Sequence, residues 1–130
     1  MKVKNIDLLQ INDALTYISE ENTGAWYQVG KNMRIIKPHI AEFRESHQEI
    51  INKYAQRDKD NVVKFLDETK TQIDFGKHSE ETTDLWNSLL QEEIDVDFHK
   101  FEYKTIGNQV LDAVRVEPLL DRIIIENGSK

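Results

Sequence analysis

Residues 26–54, WYQVGKNMRIIKPHIAEFRESHQEIINKY, carry apolar side chains in alternating steps of three and four without a skip. Steps of this kind line one face of an α-helix, so the stretch predicts a long helix that starts near Gly24. We call this face the seam, and its members are Trp26, Val29, Met33, Ile36, Ile40, Phe43, His47, Ile50 and Tyr54. Because the seam is heptad-like, it is also suited to pairing between copies of the chain.

Pro38 lies inside the predicted helix. Proline removes one backbone hydrogen bond and clashes with the preceding turn, so a kink is expected there. The seam keeps its phase on both sides of Pro38, which favours one bent helix over two separate ones. His47 is the only seam residue that titrates near neutral pH, and we expect it to be a partly buried core or interface residue with one hydrogen-bonded ring nitrogen.

A shorter helix is predicted before the seam, over Asn5–Ser19, from the apolar positions Leu8, Ile11, Leu15 and Ile18. The residues EENTGA then break the pattern with turn and capping chemistry. A short loop between two helices most simply produces an antiparallel helical hairpin. Trp26 and Tyr27 begin the second helix, and two interpretations stay open for them: core packing, which is favoured, or a binding edge for an external partner.

The chain after residue 57 has a mixed pattern. Val62–Leu66 and Thr71–Phe75 are β-prone and flank DETK, which predicts a β-hairpin. Ser79 is then the predicted N-cap of a helix with acidic residues in its first turn. The apolar stripe of this helix consists of Leu85, Trp86, Leu89 and Leu90.

Near the C-terminus, Pro118 stands where a short helix would start. That helix would carry Leu119, Leu120, Ile123 and Ile124 and would end at Asn127 and Gly128. The resulting expectation is an α+β, mostly α fold. It consists of an antiparallel helical hairpin with a kinked long helix, packed with a small antiparallel sheet and a short C-terminal helix. We expect one domain over residues 1–130, with the hairpin in 1–57 and a mixed α/β part in 58–130.

The segment EEIDVDFHKF, residues 92–101, alternates in a way that predicts a half-buried strand. Ile94, Val96 and Phe98 would point to one face of it. The other face would carry Asp95, Asp97, His99 and Phe101. Neighbours on that face lie roughly 6–7 Å apart, a spacing that permits a divalent cation or acid/base chemistry. Alternating polar residues are also what any half-buried strand shows, so we expect a solvated face or a partner contact, with no metal site and no catalytic residue.

Composition narrows the function classes. The chain has 130 residues and no cysteine, which excludes disulfides, thiolate catalysis and cysteine-ligated zinc. No signal peptide is visible and no stretch approaches the roughly 18–20 apolar residues of a membrane helix, so no membrane partner is expected. A glycine-rich phosphate loop, an HExxH pair and a GxSxG elbow are all missing from the sequence. The protein is therefore expected not to be an enzyme and to need no cofactor.

Charge is concentrated in one part of the chain. The formal net charge is −7, and the segment Ser79–Glu102 contains eight acidic residues against one lysine, Lys100. A field of this sign disfavours direct binding of nucleic acid, which relies on lysine and arginine, and it favours a protein with a basic surface. The expected partner-binding residues are Glu92, Glu93, Asp95, Asp97 and Glu102, with Trp26 and Tyr27 as a further candidate edge.

The sequence also resembles a group of small uncharacterised tailed-bacteriophage proteins. The resemblance is carried by MKVKN with DLL and DAL, by KPHIAEFRESHQEIINKYAQRDKD, by LLQEEIDVDFHKF and by VEPLLDRII. It implies a phage origin and a place of action in the host cytoplasm, and it brings no catalytic residues with it. The favoured expectation is a non-enzymatic accessory protein that inhibits a host defence or nucleic-acid-processing protein. Two alternatives stay open: a virion assembly factor that self-associates through the seam, and a metal-dependent enzyme that uses Asp95, Asp97 and His99.

Overall fold

The computed structural model of the chain describes residues 1–107 and 110–125. In chain order, the helices and strands are β1 (Lys2–Lys4), α1 (Asn5–Glu20), α2 (Trp26–Tyr54), α3 (Ser79–Gln91), β2 (Glu93–Asp95), β3 (Phe101–Glu102), α4 (Ala113–Val116) and β4 (Ile124–Ile125). Short 3₁₀ turns occupy residues 76–78, 103–106 and 117–119. The predicted α+β, mostly α class is confirmed. Among the described residues, none of the helices is both long enough and apolar enough to cross a lipid bilayer.

The two N-terminal helices form where the apolar period predicts them. α1 covers the predicted range and one further residue, and α2 runs as one continuous helix through Pro38. The contacts of α1 are mainly with α4 and with the 3₁₀ turn that follows it. The antiparallel hairpin of α1 on α2 therefore stays a prediction.

The contacts divide the chain into two compact units. Unit 1 contains residues 1–40 and 93–130, and unit 2 contains residues 41–92. This division differs from the predicted one at residue 57, and a single domain over residues 1–130 stays a prediction.

Unit 1 contains a continuous apolar core. The core is formed by one face of α1, the first half of α2, and side chains from the C-terminal third of the chain; its fully buried members include Leu8, Ile11, Leu15, Ile18, Ile36, Leu119 and Ile123. Burying a side chain of this size stabilises the folded state by about 1.5–3 kcal/mol. The core therefore joins segments that are about a hundred residues apart in sequence.

Unit 2 relies on aromatic contacts because few of its side chains are fully buried. Phe43 and His47 of α2 both contact Trp86 of α3, with ring centroids 5.5 and 4.4 Å apart. Two turns further along α2, Tyr54 contacts His78, with ring centroids 5.1 Å apart. These contacts pack the second half of α2 against α3.

The predicted β-hairpin is present in unit 2 as backbone pairing. Phe65 and Ile73 form an antiparallel bridge, and the Leu66 N–H donates to the carbonyl of Gln72 at 2.7 Å. Val63 forms a second antiparallel bridge with Arg57, so residues 56–58 lie beside the hairpin. The pairing consists of isolated bridges and is too short to form regular strands.

The predicted C-terminal helix from Pro118 is wrong. The helix is α4, which ends before Pro118, and only a single 3₁₀ turn at residues 117–119 contains that proline. Leu120 is extended and Asp121 has a φ of 66°, a left-handed conformation that a helix does not continue through. Ile124 is instead in β4, which pairs with β3 in parallel, so the predicted antiparallel sheet describes only the β1–β2 pair. The predicted helix stop at Asn127 and Gly128 lies outside the described residues.

Ser79 is not the N-cap of α3. The cap position is His78, which follows a 3₁₀ turn and makes no side-chain capping bond, and Ser79 already has helical backbone angles. The 3₁₀ turn at residues 76–78 leads directly into α3, so Ser79 is the first residue inside the helix.

Candidate functional site

The acidic segment begins as an edge strand of unit 1. β2 pairs antiparallel with β1, with Asp95 opposite Lys2 and Glu93 opposite Lys4. Ile94 and Val3 form the pair between them and face the core side, while the four charged residues are exposed. Opposite charges directly across a strand pair attract one another. The strand that carries the acidic residues is therefore bordered by two lysines, and its exposed face has mixed charge.

The remaining acidic candidates have different surroundings. Asp97 is exposed and lies beyond the end of β2. Glu102 is half-buried in β3, with its carboxylate 3.5 Å from the ammonium group of Lys104. Glu92 is exposed and belongs to unit 2. Asp97 is therefore a predicted site residue of unit 1 that is exposed and has no lysine opposite it in a strand pair.

The predicted alternation along residues 94–101 holds only in part. Val96 and Phe98 are buried and Asp95 and Asp97 are exposed, as expected. Phe101, which was placed on the wet face, is buried, so that placement is wrong. The alternation is lost because residues 96–100 are not a strand: β2 ends at Asp95 and β3 begins at Phe101, in a different sheet.

Asn32 of α2 holds this irregular stretch in place. Its side-chain amide donates to the carbonyl of His99 at 2.8 Å and accepts from the His99 N–H at 2.8 Å. The same amide also donates to the carbonyl of Gln28, and Asn32 is 0% exposed. Asn32 therefore supplies the hydrogen bonds that a neighbouring strand would otherwise make, and it uses the backbone of His99 rather than its imidazole.

The described residues of this region form no metal-binding site. Among residues 1–107 and 110–125, no three side chains of the histidine, cysteine, aspartate or glutamate type are grouped so that they could hold a metal ion. Asp95, Asp97 and His99 are thus consecutive alternate residues in sequence without forming such a group. Asp95 lies instead 3.4 Å from the amino group of Met1.

Trp26 and Tyr27 form an exposed aromatic pair in unit 1. Their side chains are 73% and 51% exposed, and their rings meet edge to face with centroids 5.9 Å apart. The favoured interpretation, core packing, is therefore wrong for both residues. Trp26 begins the helix at the loop side, where Ala25 and Val29 already fill the buried positions. The apolar period alone does not reveal this, because a helix end can leave the core before its pattern ends.

Unit 2 contains a cavity that the sequence did not predict. Its volume is about 350 Å³, and it is bordered by the second half of α2, the β-hairpin and the start of α3. Trp86, Phe75, Ile50 and Ile73 supply apolar walls. The sequence offers no signal for it, since its lining comes from three segments whose packing sets the opening.

His47 borders this cavity and is the one seam histidine. Burial lowers the pKa of His47 below its ordinary value of 6.5, because the charged imidazolium loses contact with water. The neutral form of the ring is therefore favoured, and the ring packs against Trp86 at an interplanar angle of 44°. His47 is partly buried, as expected, but no described residue makes the predicted hydrogen bond to one of its ring nitrogens.

The turn of the hairpin is ordered by Asp67. Its carboxylate accepts hydrogen bonds from the hydroxyls of Thr69 and Thr71 and from the N–H groups of Thr71 and Gln72. The Thr69 hydroxyl, followed by the Thr71 hydroxyl and the Gln72 N–H, holds the pKa of Asp67 well below its usual range. These bonds fix Thr71 and Gln72, two of the residues that the hairpin contributes to the cavity.

Three features thus stand out as possible sites: the mixed-charge β1–β2 face and the exposed aromatic pair in unit 1, and the cavity in unit 2. The first two contain residues that the sequence predicts to bind a partner, and the third contains none of those predicted residues. Comparison of the chain with protein-family models, curated proteins and solved structures gave no match.

Proposed function

We propose that this chain acts by binding another protein, without chemistry of its own, and that Trp26 and Tyr27 form the centre of the contact. The observation that carries the proposal is the exposure of both rings, 73% and 51%. Exposed large aromatic side chains keep apolar area in water that a partner would remove, and tryptophan and tyrosine dominate the energetics of many interfaces. The two rings meet edge to face, a geometry that aromatic pairs favour.

The charge of the chain supports a partner with a basic surface. The net charge is −7, and Glu93, Asp95 and Asp97 are exposed in the same unit as the aromatic pair. Lys2 and Lys4 moderate the field around β2, so the acidic residues act mainly by steering association and less as isolated contacts. A basic surface of this kind is typical of proteins that bind nucleic acid.

The specific form of the proposal is inhibition in the host cytoplasm. The partner would be a host defence or nucleic-acid-processing protein, whose basic surface the chain would cover. The resemblance to small tailed-bacteriophage proteins supports this form, because a phage gains from blocking such an enzyme. The seam alternative has less support, since Val29, Ile36 and Ile40 are buried in the core of unit 1. The metal-dependent alternative has no grouped ligands among the described residues to act through.

The first test measures binding to a captured and purified partner. Trp26→Ala is expected to weaken binding by about 2 kcal/mol or more, roughly thirtyfold in Kd, because a central aromatic anchor is removed. Tyr103→Ala is the matched control, since Tyr103 is another exposed aromatic residue of unit 1. Equal Kd values for wild type and the Trp26 variant would contradict the aromatic contact.

The charge component is tested separately. The double variant Asp95→Asn, Asp97→Asn is expected to slow association and to flatten its dependence on salt between about 50 and 300 mM. Asp13→Asn with Glu20→Gln removes the same charge from exposed positions of α1 and serves as the control. An unchanged salt dependence in the first pair would limit the contact to the aromatic residues.

Light scattering tests the assembly alternative. A monomer at all concentrations contradicts self-association through the seam. A concentration-dependent oligomer that Trp26→Ala leaves intact would favour assembly over the proposed heterologous contact.

A further inference from the structure

The cavity of unit 2 has the size of a small-molecule site. Ligand pockets in proteins typically measure about 300–1,000 Å³, and this cavity measures about 350 Å³. Its residues come from two helices and the hairpin, and the hairpin turn is fixed by the four hydrogen bonds to Asp67. The opening is therefore a preformed feature of the fold.

The walls favour a flat ring. Trp86 and Phe75 both line the cavity, and Trp86 is itself held by contacts with Phe43 and His47. Aromatic side chains bind planar rings through stacked or edge-to-face contacts. An anchored tryptophan loses little conformational entropy when a ring packs against it.

Three polar side chains that border the same cavity have donors and acceptors that are free to bind a ligand. The side-chain amide of Gln72, the ring nitrogens of His47 and the hydroxyl of Ser79 all border it. Within the part of the chain that the structure describes, none of these three groups is hydrogen-bonded to another residue. An amide offers one acceptor and two donors, the arrangement that pairs with the donor–acceptor edge of a nucleobase.

The lining is uncharged in a chain that is 32% charged. Among the described residues, no aspartate, glutamate, lysine or arginine borders the cavity, and burial lowers the pKa of His47, which favours its neutral form. A charged ligand would therefore lose hydration without meeting an opposite charge. This excludes phosphate groups from the inner part of the site and leaves neutral molecules.

We propose that this cavity binds a neutral, planar heteroaromatic molecule of nucleobase size, stacked on Trp86 and hydrogen-bonded by Gln72 and His47. The base can come from a free nucleoside or from a nucleotide whose phosphate stays in solvent. This site lies in unit 2 and does not depend on the aromatic pair proposed to bind a protein.

The test is titration of the whole chain with adenosine, guanosine, cytidine and uridine, each up to about 1 mM. The only two tryptophans are Trp26 and Trp86, so in Trp26→Phe the fluorescence excited selectively from tryptophan comes from Trp86 alone. Saturable quenching of Trp86 by at least one nucleoside is the expected result. Cyclohexanol, which is neutral but neither flat nor aromatic, is expected to give no quenching.

Two variants place the binding in the cavity. Gln72→Ala is expected to weaken it about tenfold, because an exposed amide is removed without loss of core packing. His47→Phe keeps a ring against Trp86 while removing both nitrogens, and a similar loss is expected with an unchanged melting temperature at pH 7.5. Gln91→Ala, at the exposed end of α3 and away from the cavity, is the control and should bind like wild type.

The 5′-monophosphate of the best nucleoside separates the two sources of the base. Equal affinity for nucleoside and monophosphate, with no change in added salt, supports recognition of the base alone. Tighter binding of the monophosphate would overturn the uncharged-site argument. The proposal also fails if no nucleoside saturates, if cyclohexanol binds equally well, or if Gln72→Ala and His47→Phe both bind like wild type.

Discussion

At the scale of single residues, Asn32 has a larger structural role than its place between seam positions indicates. It is fully buried in α2 and pairs with both backbone groups of His99. In the apolar pattern of the helix, Asn32 is only a polar position. In the structure, its side chain bonds residues 96–100 to α2 where no strand pairing exists.

Asn32→Ala is expected to lower the free energy of unfolding by about 2 kcal/mol, because the N–H and carbonyl of His99 lose their partner. Urea denaturation followed by circular dichroism measures this. Asn52→Ala, at an exposed position of the same helix, should change stability by less than about 0.5 kcal/mol. Equal effects of the two substitutions would show that the His99 bonds contribute nothing specific.

His47 gives a pH dependence with a defined sign. Its pKa is lowered in the folded state by burial, so the unfolded chain takes up the proton first as the pH falls. The contribution is fully present above the ordinary value of 6.5 and is lost as the pH falls below it. Melting temperatures between pH 7.5 and 5 should decrease for wild type and decrease less for His47→Phe. Parallel curves for the two proteins would rule out His47 as the source.

At the scale of elements, the loop between α1 and α2 depends on a glycine. The Gly24 N–H donates to the carbonyl of Ile106 at 3.1 Å, and a Cβ at this position would lie 2.6 Å from the carbonyl oxygen of Thr105. The loop and the 3₁₀ turn after β3 therefore touch through their backbones, with no room for a side chain.

Gly24→Ala is expected to destabilise the chain by about 1–3 kcal/mol, because one of the two backbones has to shift. Gly30→Ala is the matched substitution inside α2, where the new methyl meets only the flexible end of Arg34 at 3.4 Å. It should stabilise by up to about 1 kcal/mol, since alanine is the better helix former. Thermal melting of the two variants should shift in opposite directions, and shifts of the same sign would contradict the close approach.

The hairpin depends on the carboxylate at its turn. Asp67→Ala should speed amide hydrogen exchange of Leu66 and Asp74, whose N–H groups form the hairpin bonds. Because the pKa of Asp67 is lowered in the fold, the same loosening is expected as the pH falls below the ordinary value of 3.8. Asp60→Ala, an exposed aspartate of the neighbouring turn, should leave both rates unchanged. If Asp60→Ala also speeds exchange, the effect of Asp67→Ala comes from the loss of a negative charge and not from the loss of the bonds at the turn.

The helices and strands also show which parts of the structure the sequence can predict and which it cannot. α1 and α2 are long and periodic, and the period that predicts them is a property of the helix itself. β1 is three residues next to a helix, too short to show alternation, so its two lysines opposite the acidic strand were missed. Phe101 and Ile124 were misplaced for a related reason: their pairing as parallel neighbours comes from tertiary packing. The aromatic pair was identified as a candidate edge, while the cavity was not foreseeable at all.

At the scale of the whole molecule, unit 1 is assembled from both ends of the described chain. Leu119 is 0% exposed and its neighbour Leu120 is 41% exposed, which provides a matched pair of leucines. Leu119→Ala should cost about 2–5 kcal/mol and should also speed amide exchange in α1, against which its turn packs. Leu120→Ala should cost less than about 0.5 kcal/mol. Undisturbed exchange in α1 of the Leu119 variant would contradict a shared core.

The discontinuity of unit 1 has a consequence for how the chain is made. A ribosome releases α1 early, but the side chains that cover its apolar face from α4 and the following turn are about a hundred residues further on, a delay on the order of 5–20 s at ordinary elongation rates. Unit 2 is contiguous over residues 41–92 and can close within that interval. The nascent chain therefore presents the face of Leu8, Ile11 and Leu15 to solvent for most of its synthesis. Aggregation and chaperone binding through this face are therefore expected mainly during synthesis.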